Sequence, residues 1–478
     1  MPCLSLRGVE GAETLAPVFS EDVRLRVQMW DVETLVRIAE ALGRFSARFV
    51  PSAFAIAVLL SLFTMGLALG WADAPPARVL ESWGGGFWEL LTFSMQMAVV
   101  MFTGYLLALT QPVRALLVRL AGLARSPSGA VVLMAAVSMG LAYINWGLSL
   151  VASAMLVRFV VRRQPEVDYR LLVACAYFGL GATWHAGLSA SAPLLVATPG
   201  HFLEKQLGVI PIDRTLFSPF NVGLTVGVVL VLTVLAWAMH PKPERTVRVD
   251  PAILEQLQDF VPPERPREKS PAVWLDFSPL LNLVFGALGL LWFGRHLWVN
   301  GGWKALNLNV VNFLFLTLAV LLHATPARLL KASEEAASVL HGIVLQFPLY
   351  AGIYGIFKAT GLTERIGHLF VSLSTPGSFP AIVYLYSGVV NYFVPSGGSK
   401  WAIEAPYLLE AARTLGVEPE KVVLAYAWGD MATDLIQPFW ALPLLAVARL
   451  EFKDILGFLL LTFFVYLPLV TLAFFLWG

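Results

Sequence analysis

Charge is scarce in this chain. Of 478 residues only 14% are charged while 58% are hydrophobic, and mean hydropathy is +0.72; a typical soluble domain carries about 25% charge. That deficit excludes a soluble globular protein and indicates a polytopic one whose main partner is the bilayer. Cysteine is nearly missing as well. With only Cys3 and Cys175, neither a disulfide framework nor a Cys-rich metal site can form. Any excess of one charge sign is absent: 33 Lys+Arg face 32 Asp+Glu for a net +1, which leaves no basic footprint for nucleic acid. Met1–Leu35 lacks an apolar h-region, so no cleavable signal peptide is expected and the first span itself must direct insertion.

What is present is a series of apolar runs long enough, at 1.5 Å per residue, to cross about 30 Å of hydrocarbon. They are expected at Val50–Gly70, Phe87–Thr110, Arg170–Thr198, Phe217–Met239, Val273–Val299, Ala305–Ala324, Ser338–Ala359, Lys421–Leu450 and Ile455–Trp477. Ahead of them, Leu35, Ile38, Leu42 and Phe45 recur at helical spacing beside Arg37, Arg44 and Arg48. This is the pattern of an amphipathic helix lying on the membrane surface.

Arginine then fixes orientation. The stretch Gln111–Arg125, with Arg114, Arg119 and Arg125, and the linker His240–Pro271 should both be cytoplasmic with the amphipathic helix. The greasy stretch Gly129–Arg163 has Arg125 before it, Arg158, Arg162 and Arg163 at its end and Asn145-Trp146-Gly147 near its middle. Both ends read as cytoplasmic, so it is expected to be a re-entrant helical hairpin, tolerated only where protein or a watery cavity satisfies its tip. Counting onward, Phe379–Arg413 begins and ends outside. Its tip, NYFVPSGGSKWAIEAP at Asn391–Pro406, would be a second hairpin opening to the opposite face.

The two halves also resemble each other. YFGLGATWHAGLSASAPLLVA (Tyr177–Ala197) aligns with AWGDMATDLIQPFWALPLLAV (Ala427–Val447) at a constant offset, 443 − 193 = 250, which matches Gly179 with Gly429 and Ala182-Thr183 with Ala432-Thr433. Phe102 and Tyr105 answer Phe347 and Tyr350 at 347 − 102 = 245, and INWG at Ile144 answers VNYF at Val390. Val273–Val299 has no partner in the first half, so the repeats should be inverted. Inverted repeats with paired broken helices mark secondary transporters that hold substrate near the midplane.

The polar residues at the breaks are the candidate site. Pro395, Gly397 and Gly398 free the backbone to turn, and Ser396 or Ser399 is placed to N-cap the returning limb, whose positive end would bind a carboxylate; the alternative is a structural hairpin closed on its own hydroxyls. The spacing excludes a phosphate-binding Walker loop, since Ser399 separates Gly398 from Lys400 and Trp401 stands where a hydroxyl residue is needed. Lys400 and Glu404, one turn apart, either neutralise each other or put a cation on the substrate. In the broken spans, Ser191 stands at a cap before Pro193, and Asp430, Thr433, Asp434 and Gln437 precede Pro438. Two intramembrane carboxylates point to ion coupling or to a salt bridge with Lys400. A lone His185 reads as a packed imidazole, and Asn145 and Asn391 as ligands or buried hydrogen-bond groups.

At these residues a resemblance enters. INWGLSL, DYRLLVACAYFG, SAPLLVATPG, LQFPLYAGI, NYFVPSGGSKW and QPFWALPLLAVA, spread from about Phe45 to Val470, are similar to the short-chain fatty acid transporter family (AtoE-like permeases) of the ion transporter superfamily. The resemblance implies homodimers built from a scaffold domain and a mobile transport domain that carries the hairpins and moves like an elevator.

The expectation is an all-α polytopic membrane protein of two inverted-topology repeats, each with a re-entrant hairpin and a broken transmembrane helix. Residues 1–49 form an extension and interfacial helix, 50–239 the first repeat with hairpin 129–163, 240–272 a cytoplasmic linker, and 273–478 the second repeat with hairpin 379–413. Such a protein would take up a small monocarboxylate such as acetoacetate or butyrate across a bacterial inner membrane, with its N-terminus cytoplasmic and its C-terminus external. Substrate would meet Asn145, Trp146, Gly147, Ser189, Ser191, Ser396, Gly397, Gly398, Ser399 and Gln437. Coupling would involve Asn145, Thr183, Asn391, Asp430, Thr433 and Asp434. No organic cofactor is expected, only Na⁺ (near Asp430 and Asn391) or H⁺. The rivals are a di- or tricarboxylate transporter and an intramembrane hydrolase using Asp430 and Asp434, whose placement on one segment argues against enzymatic use.

Overall fold

The computed structural model describes residues 51–256 and 260–477, so the expected amphipathic helix before Val50 lies outside the described residues. Every regular element among them is a helix. Many helices start the same way. Ser126, Ser218, Ser270 and Thr325 each precede a proline at the first helical position, and each side-chain oxygen accepts the N–H of the residue three further on. The proline presets φ and lacks the N–H that the first turn would leave unpaired, while the hydroxyl satisfies one that remains.

Among the described residues six helices are long and apolar enough to cross a membrane: Leu91–Ala108, Pro127–Ile144, Pro219–Met239, Leu280–Val299, His341–Ala359 and Phe452–Trp477. A seventh span results if Pro419–Leu435 and Phe439–Ala448, bent by 67°, are taken together. Some expected spans are shorter than the sequence suggests. Val273–Val299 is divided into Pro271–Phe277 and Leu280–Val299, because Pro279 biases Ser278 to an extended backbone (ψ 141°) and the helix must restart. Short amphipathic helices, Pro76–Gly86, Gln111–Ala121, Pro326–Ala337 and Leu362–Leu373, fill stretches that hydropathy passes over.

The internal repeat is visible in the order of elements. Leu91–Ala108, Gln111–Ala121, a helical hairpin and Tyr169–Ala182 recur as His341–Ala359, Leu362–Leu373, a second hairpin and Pro419–Ala432. The last pair are both 14 residues and lie 250 apart at each end (419 − 169 and 432 − 182). Leu280–Val299 stands between the halves without a counterpart among the described residues.

Both hairpins are antiparallel helix pairs. In the first, Pro127–Ile144 and Trp146–Arg163 meet at Asn145, the Ser149 hydroxyl donates to the Ser138 carbonyl (2.8 Å), and at the open end the Gln164 amide donates to the Ala124 carbonyl (2.8 Å). In the second, Phe379–Phe393 and Gly397–Leu415 are joined across by the Tyr386 and Tyr407 hydroxyls at 2.9 Å. Each first limb packs on the broken helix of its own half through one glycine. A Cβ on Gly179 would lie 2.3 Å from the Ser138 carbonyl oxygen and one on Gly429 would lie 2.2 Å from that of Tyr384. Both carbonyls stand seven residues before the tip asparagine (145 − 138 and 391 − 384).

The open end of the first hairpin shares a face with the linker: Tyr169 N–H donates to the Val247 carbonyl at 2.8 Å and Arg248 pairs with Glu166. Trp477, the last residue of the final helix, instead lies by the open end of the second hairpin, where its carbonyl accepts from Lys421 at 3.0 Å.

Candidate functional site

The tips of the two hairpins and the two broken helices converge on a small cavity of about 50 Å³. It is lined by the expected residues Trp146, Ser191, Asn391, Ser396, Gly397, Gly398, Asp430 and Asp434, and by Met97, Trp184, Phe347 and Trp440. The side formed by Leu91–Ala108 is apolar. Phe93 and Met97 come within 3.3 Å of where a Cβ on Gly398 would lie.

The returning limb of the second hairpin starts at Gly397. Contrary to expectation, neither Ser396 nor Ser399 caps it: no side chain accepts from the N–H groups of the first turn, the Ser396 hydroxyl donates to that of Ser399 at 2.8 Å, and the Tyr426 hydroxyl donates to the Gly397 carbonyl at 2.5 Å. The extended Ser396 (φ −154°, ψ 91°) sits at the N-cap, and the first backbone bond of the limb runs from Lys400 N–H to the Ser396 carbonyl. The uncapped turn faces the cavity, and a helix start of this kind attracts anions. At the first tip the arrangement differs. Asn145 is both the end of one limb and the cap of the next; its side-chain oxygen accepts from Leu148 N–H (2.9 Å) while its amide donates to the Val100 carbonyl (3.1 Å). Ser189 accepts from Trp146 N–H at 2.9 Å and so completes that cap from a separate segment.

The first broken helix ends at Ala182, as its Gly- and Ser-rich sequence implies, and resumes at Ala192–Val196. Ser191 does not cap the new helix. Its hydroxyl bonds His185 Nε2 at 2.7 Å instead. Ala192 N–H also donates to Nε2 (3.3 Å), so the imidazole proton sits on Nδ1 and is donated to Asp430 Oδ2 at 2.9 Å. The expectation of a merely packed imidazole is therefore corrected: His185 is a hydrogen-bonded member of the site, held face to face with Trp184 at 4.2 Å.

Asp430 is not at the break of the second helix, which continues to Ala432; it is enclosed within the last turn. Lys400 reaches it from the second hairpin, Nζ to Oδ1 3.2 Å, closer than its own-helix partner Glu404 at 3.6 Å. The same ammonium donates to the Ser387 carbonyl and hydroxyl and lies 4.2 Å over the Tyr426 ring. Lys400 thus ties both limbs to the broken helix. Asp434 accepts three hydrogen bonds, from Asn391 (2.8 Å), Gln437 (3.1 Å) and the Trp184 indole (3.2 Å). Asn391 therefore serves Asp434 and Thr433, while Asp430 serves His185 and Lys400. Thr183 and Thr433 donate to hairpin carbonyls, Met139 and Gly388, each at 2.8 Å. Gly147 packs on the Met101 carbonyl.

Trp146 and Trp440, edge to face at 5.3 Å, close the cavity on one side. A larger space of about 700 Å³ is bordered by Gly147, next to Trp146, by Pro443, three residues after Trp440, and by Arg158, Glu335, Arg449 and the linker residue Phe260. Sequence reasoning missed Trp184, Trp440, Met97 and Phe347, because apolar and aromatic residues are unremarkable in such a chain. One signal was available: the offset of 250 that pairs the glycines also pairs Trp184 with Asp434.

Residues 34–477 match the model of the family described as short chain fatty acid transporter. The chain belongs to the short-chain fatty acid transporter family. Two relatives, from Escherichia coli (strain K12) and Haemophilus influenzae, both carry the name "Putative short-chain fatty acid transporter". They are 40% and 36% identical over 422 and 429 residues, in each case 88% of this chain and 95% of the relative. Among solved structures, the YdaH transporter of Alcanivorax borkumensis superposes with TM-score 0.58 at 14% identity over 89% of this chain and 98% of its own. MtrF of Neisseria gonorrhoeae, from a class described as antimetabolite efflux pumps, does so with TM-score 0.55 at 14% identity, over 92% and 97%. At that identity these two share the fold. The protein is thus a membrane transporter of this family and not an enzyme.

Proposed function

We propose that the chain is a secondary active importer of short-chain fatty acids, small monocarboxylates such as acetoacetate or butyrate, driven by a co-transported cation. The observation that carries this reading is the uncapped start of Gly397–Leu415 facing a cavity of only about 50 Å³ beside apolar Met97 and Phe347. A carboxylate fits the free N–H groups of that turn, and a short alkyl chain fits the apolar wall. The site's lysine is already engaged by Asp430 and Glu404, which disfavours ligands with two or three carboxylates.

The two hairpins are re-entrant from opposite faces, and the repeats are inverted about the site. The linker, with its arginines, marks the cytoplasmic face of a bacterial inner membrane; the N-terminus is on that face and Trp477 on the other. The space bounded by Arg158, Arg449 and Phe260 is then a vestibule from the cytoplasm, and a pair of homodimeric scaffolds would let each transport domain carry its tips across as an elevator. Na⁺ or H⁺ accompanies the substrate at the carboxylates Asp430 and Asp434, with Asn391 beside them. Uptake of labelled butyrate into proteoliposomes, with Na⁺ and pH gradients imposed separately, tests the reading. Accumulation under one gradient supports it, and no accumulation of any short monocarboxylate under either would overturn it.

A further inference from the structure

Glu404 has no part in the account so far beyond its distant pairing with Lys400, and its surroundings are unusual. The side chain is completely buried, neither carboxylate oxygen has a partner within 3.5 Å among the described residues, and the hydrogen-bonding groups near it are the Ser387 hydroxyl and the Lys400 ammonium. Its one neighbouring cation, the Lys400 ammonium, is 3.6 Å away and stands closer to Asp430. The other ionisable groups around it are Asp430 and three tyrosines, Tyr386 and Tyr407 on the hairpin limbs and Tyr426 on the broken helix. None of these adds a positive charge.

Charge in the cluster decides the matter. His185 is neutral by its hydrogen bonds, Asp434 accepts from three neutral donors, and among the described residues Lys400 is the sole cation paired with Asp430 and Glu404. An anionic ligand at Gly397, about one helical turn from Lys400, would add a fourth negative charge in a dry site. Like charges at such separations cannot all remain ionised, and the carboxylate with the fewest hydrogen bonds is the one that gains a proton.

We propose that Glu404 is the site of the coupling proton: it takes H⁺ from solution as the monocarboxylate binds and returns it to solution when the ligand leaves. This rests on the transporter reading and narrows it: the ion is H⁺, and its carrier is Glu404, beside Asp430 and Asp434, rather than either of those two. The step is a simple balance, carboxylate plus H⁺ giving carboxylic acid, with the bound anion's charge matched by the proton. By linkage, binding the anion raises the proton affinity of Glu404, and binding the proton raises the affinity for the anion by the same factor.

The test is titration calorimetry of the purified full-length protein with butyrate at several values above pH 6, where butyrate itself is ionised, in buffers of differing ionisation enthalpy. Wild type should take up close to one proton per butyrate, with affinity falling up to ~10-fold per pH unit above the midpoint. Glu404→Gln should bind butyrate with no proton uptake and no pH dependence, while Asp434→Asn should still take up the proton. Glu404→Asp keeps the carboxyl at an altered position and should take up a proton with a shifted midpoint; it also serves if the glutamine variant does not fold. Proton uptake unchanged in Glu404→Gln, an unmoved midpoint in Glu404→Asp, or butyrate binding to wild type without proton uptake would each overturn the proposal. Absence of any butyrate binding to wild type would instead sink the transporter reading itself, and this inference with it.

Discussion

The indole N–H of Trp184 donates to Asp434 Oδ2 at 3.2 Å, and these two residues are 250 apart, the same offset that superimposes the two repeats. Equivalent positions of a two-fold repeat can touch only on its axis, so the contact marks where the halves meet and explains why the site lies there. The two positions have diverged, one to a donor and the other to an acceptor. Trp184→Phe removes the donor but keeps the ring stacked on His185. It should lower the melting temperature, and the loss should shrink strongly when Asp434→Asn is already present. A double-mutant cycle on thermal stability checks this: coupling of about 1.5–3 kcal/mol is expected for a bond to a charged acceptor, and additivity within about 0.5 kcal/mol would show that the contact contributes nothing.

Gly179 and Gly429 bring each broken helix against its hairpin, so alanine at either site meets a carbonyl oxygen at 2.3 or 2.2 Å. Overpacking of this kind costs about 1–3 kcal/mol. Gly179→Ala and Gly429→Ala should therefore each lower the melting temperature by a similar amount. Gly140, within the first hairpin limb, has nothing within 4 Å of a built Cβ. There alanine should be neutral or stabilising, since glycine costs a helix roughly 1 kcal/mol. Equal behaviour of all three variants would mean that the glycines do not set the packing.

Orientation is checked by labelling. The open end of the first hairpin and the linker share one face, as the Tyr169–Val247 bond shows. Cysteines at the exposed positions Arg125 and Glu166 should react with a membrane-impermeant thiol reagent from the cytoplasm, and those at exposed Gly377 and Glu418 from outside. Labelling of Arg125 and Glu166 positions from opposite faces would make the first hairpin an ordinary span and end the inverted-repeat reading.

How far the sequence could be read follows from which forces local pattern reports. Hydropathy and arginine placement located the long helices and both hairpins, because bilayer length and charge asymmetry act on whole segments. The constant offset of 250 located the repeat. Hydropathy gave no sign of the break at Ser278-Pro279, which sits inside an apolar run, or of Pro326–Ala337 and Leu362–Leu373, whose apolar stripes are too narrow to raise a window average. At the site, residue types at the breaks were legible but their pairings were not. Whether Ser191 caps a helix or holds His185 depends on an imidazole six positions away that is itself held by Asp430, 245 positions on, and whether Lys400 turns to Glu404 or Asp430 depends on a residue 30 positions on (191 − 185, 430 − 185, 430 − 400).

The second hairpin tip permits the sharpest separation of binding from folding. A Cβ on Gly397 would lie 2.6 Å from Asp430 Oδ2 and from the Trp184 ring, and 2.9 Å from His185, so Gly397→Ala must push the limb's first turn or its neighbours out of place. Butyrate binding should be lost while the hairpin still forms, because alanine is a good first-turn residue. Ser396→Ala removes a hydroxyl from the cavity wall and should weaken binding about ten- to hundredfold if that group bonds the ionised ligand. Lys400→Gln acts differently. It leaves Asp430 and Glu404 buried without their cation, a change that typically costs about 3–5 kcal/mol, so this variant should fail in melting temperature and yield before it can be judged in binding. Restoring neutrality with Asp430→Asn in the same chain should recover part of that stability. Calorimetric binding and thermal melts of these variants, run side by side, separate the two roles. Normal butyrate affinity in Gly397→Ala, or a stably folded Lys400→Gln that has lost only binding, would move the ligand from the helix start to the lysine.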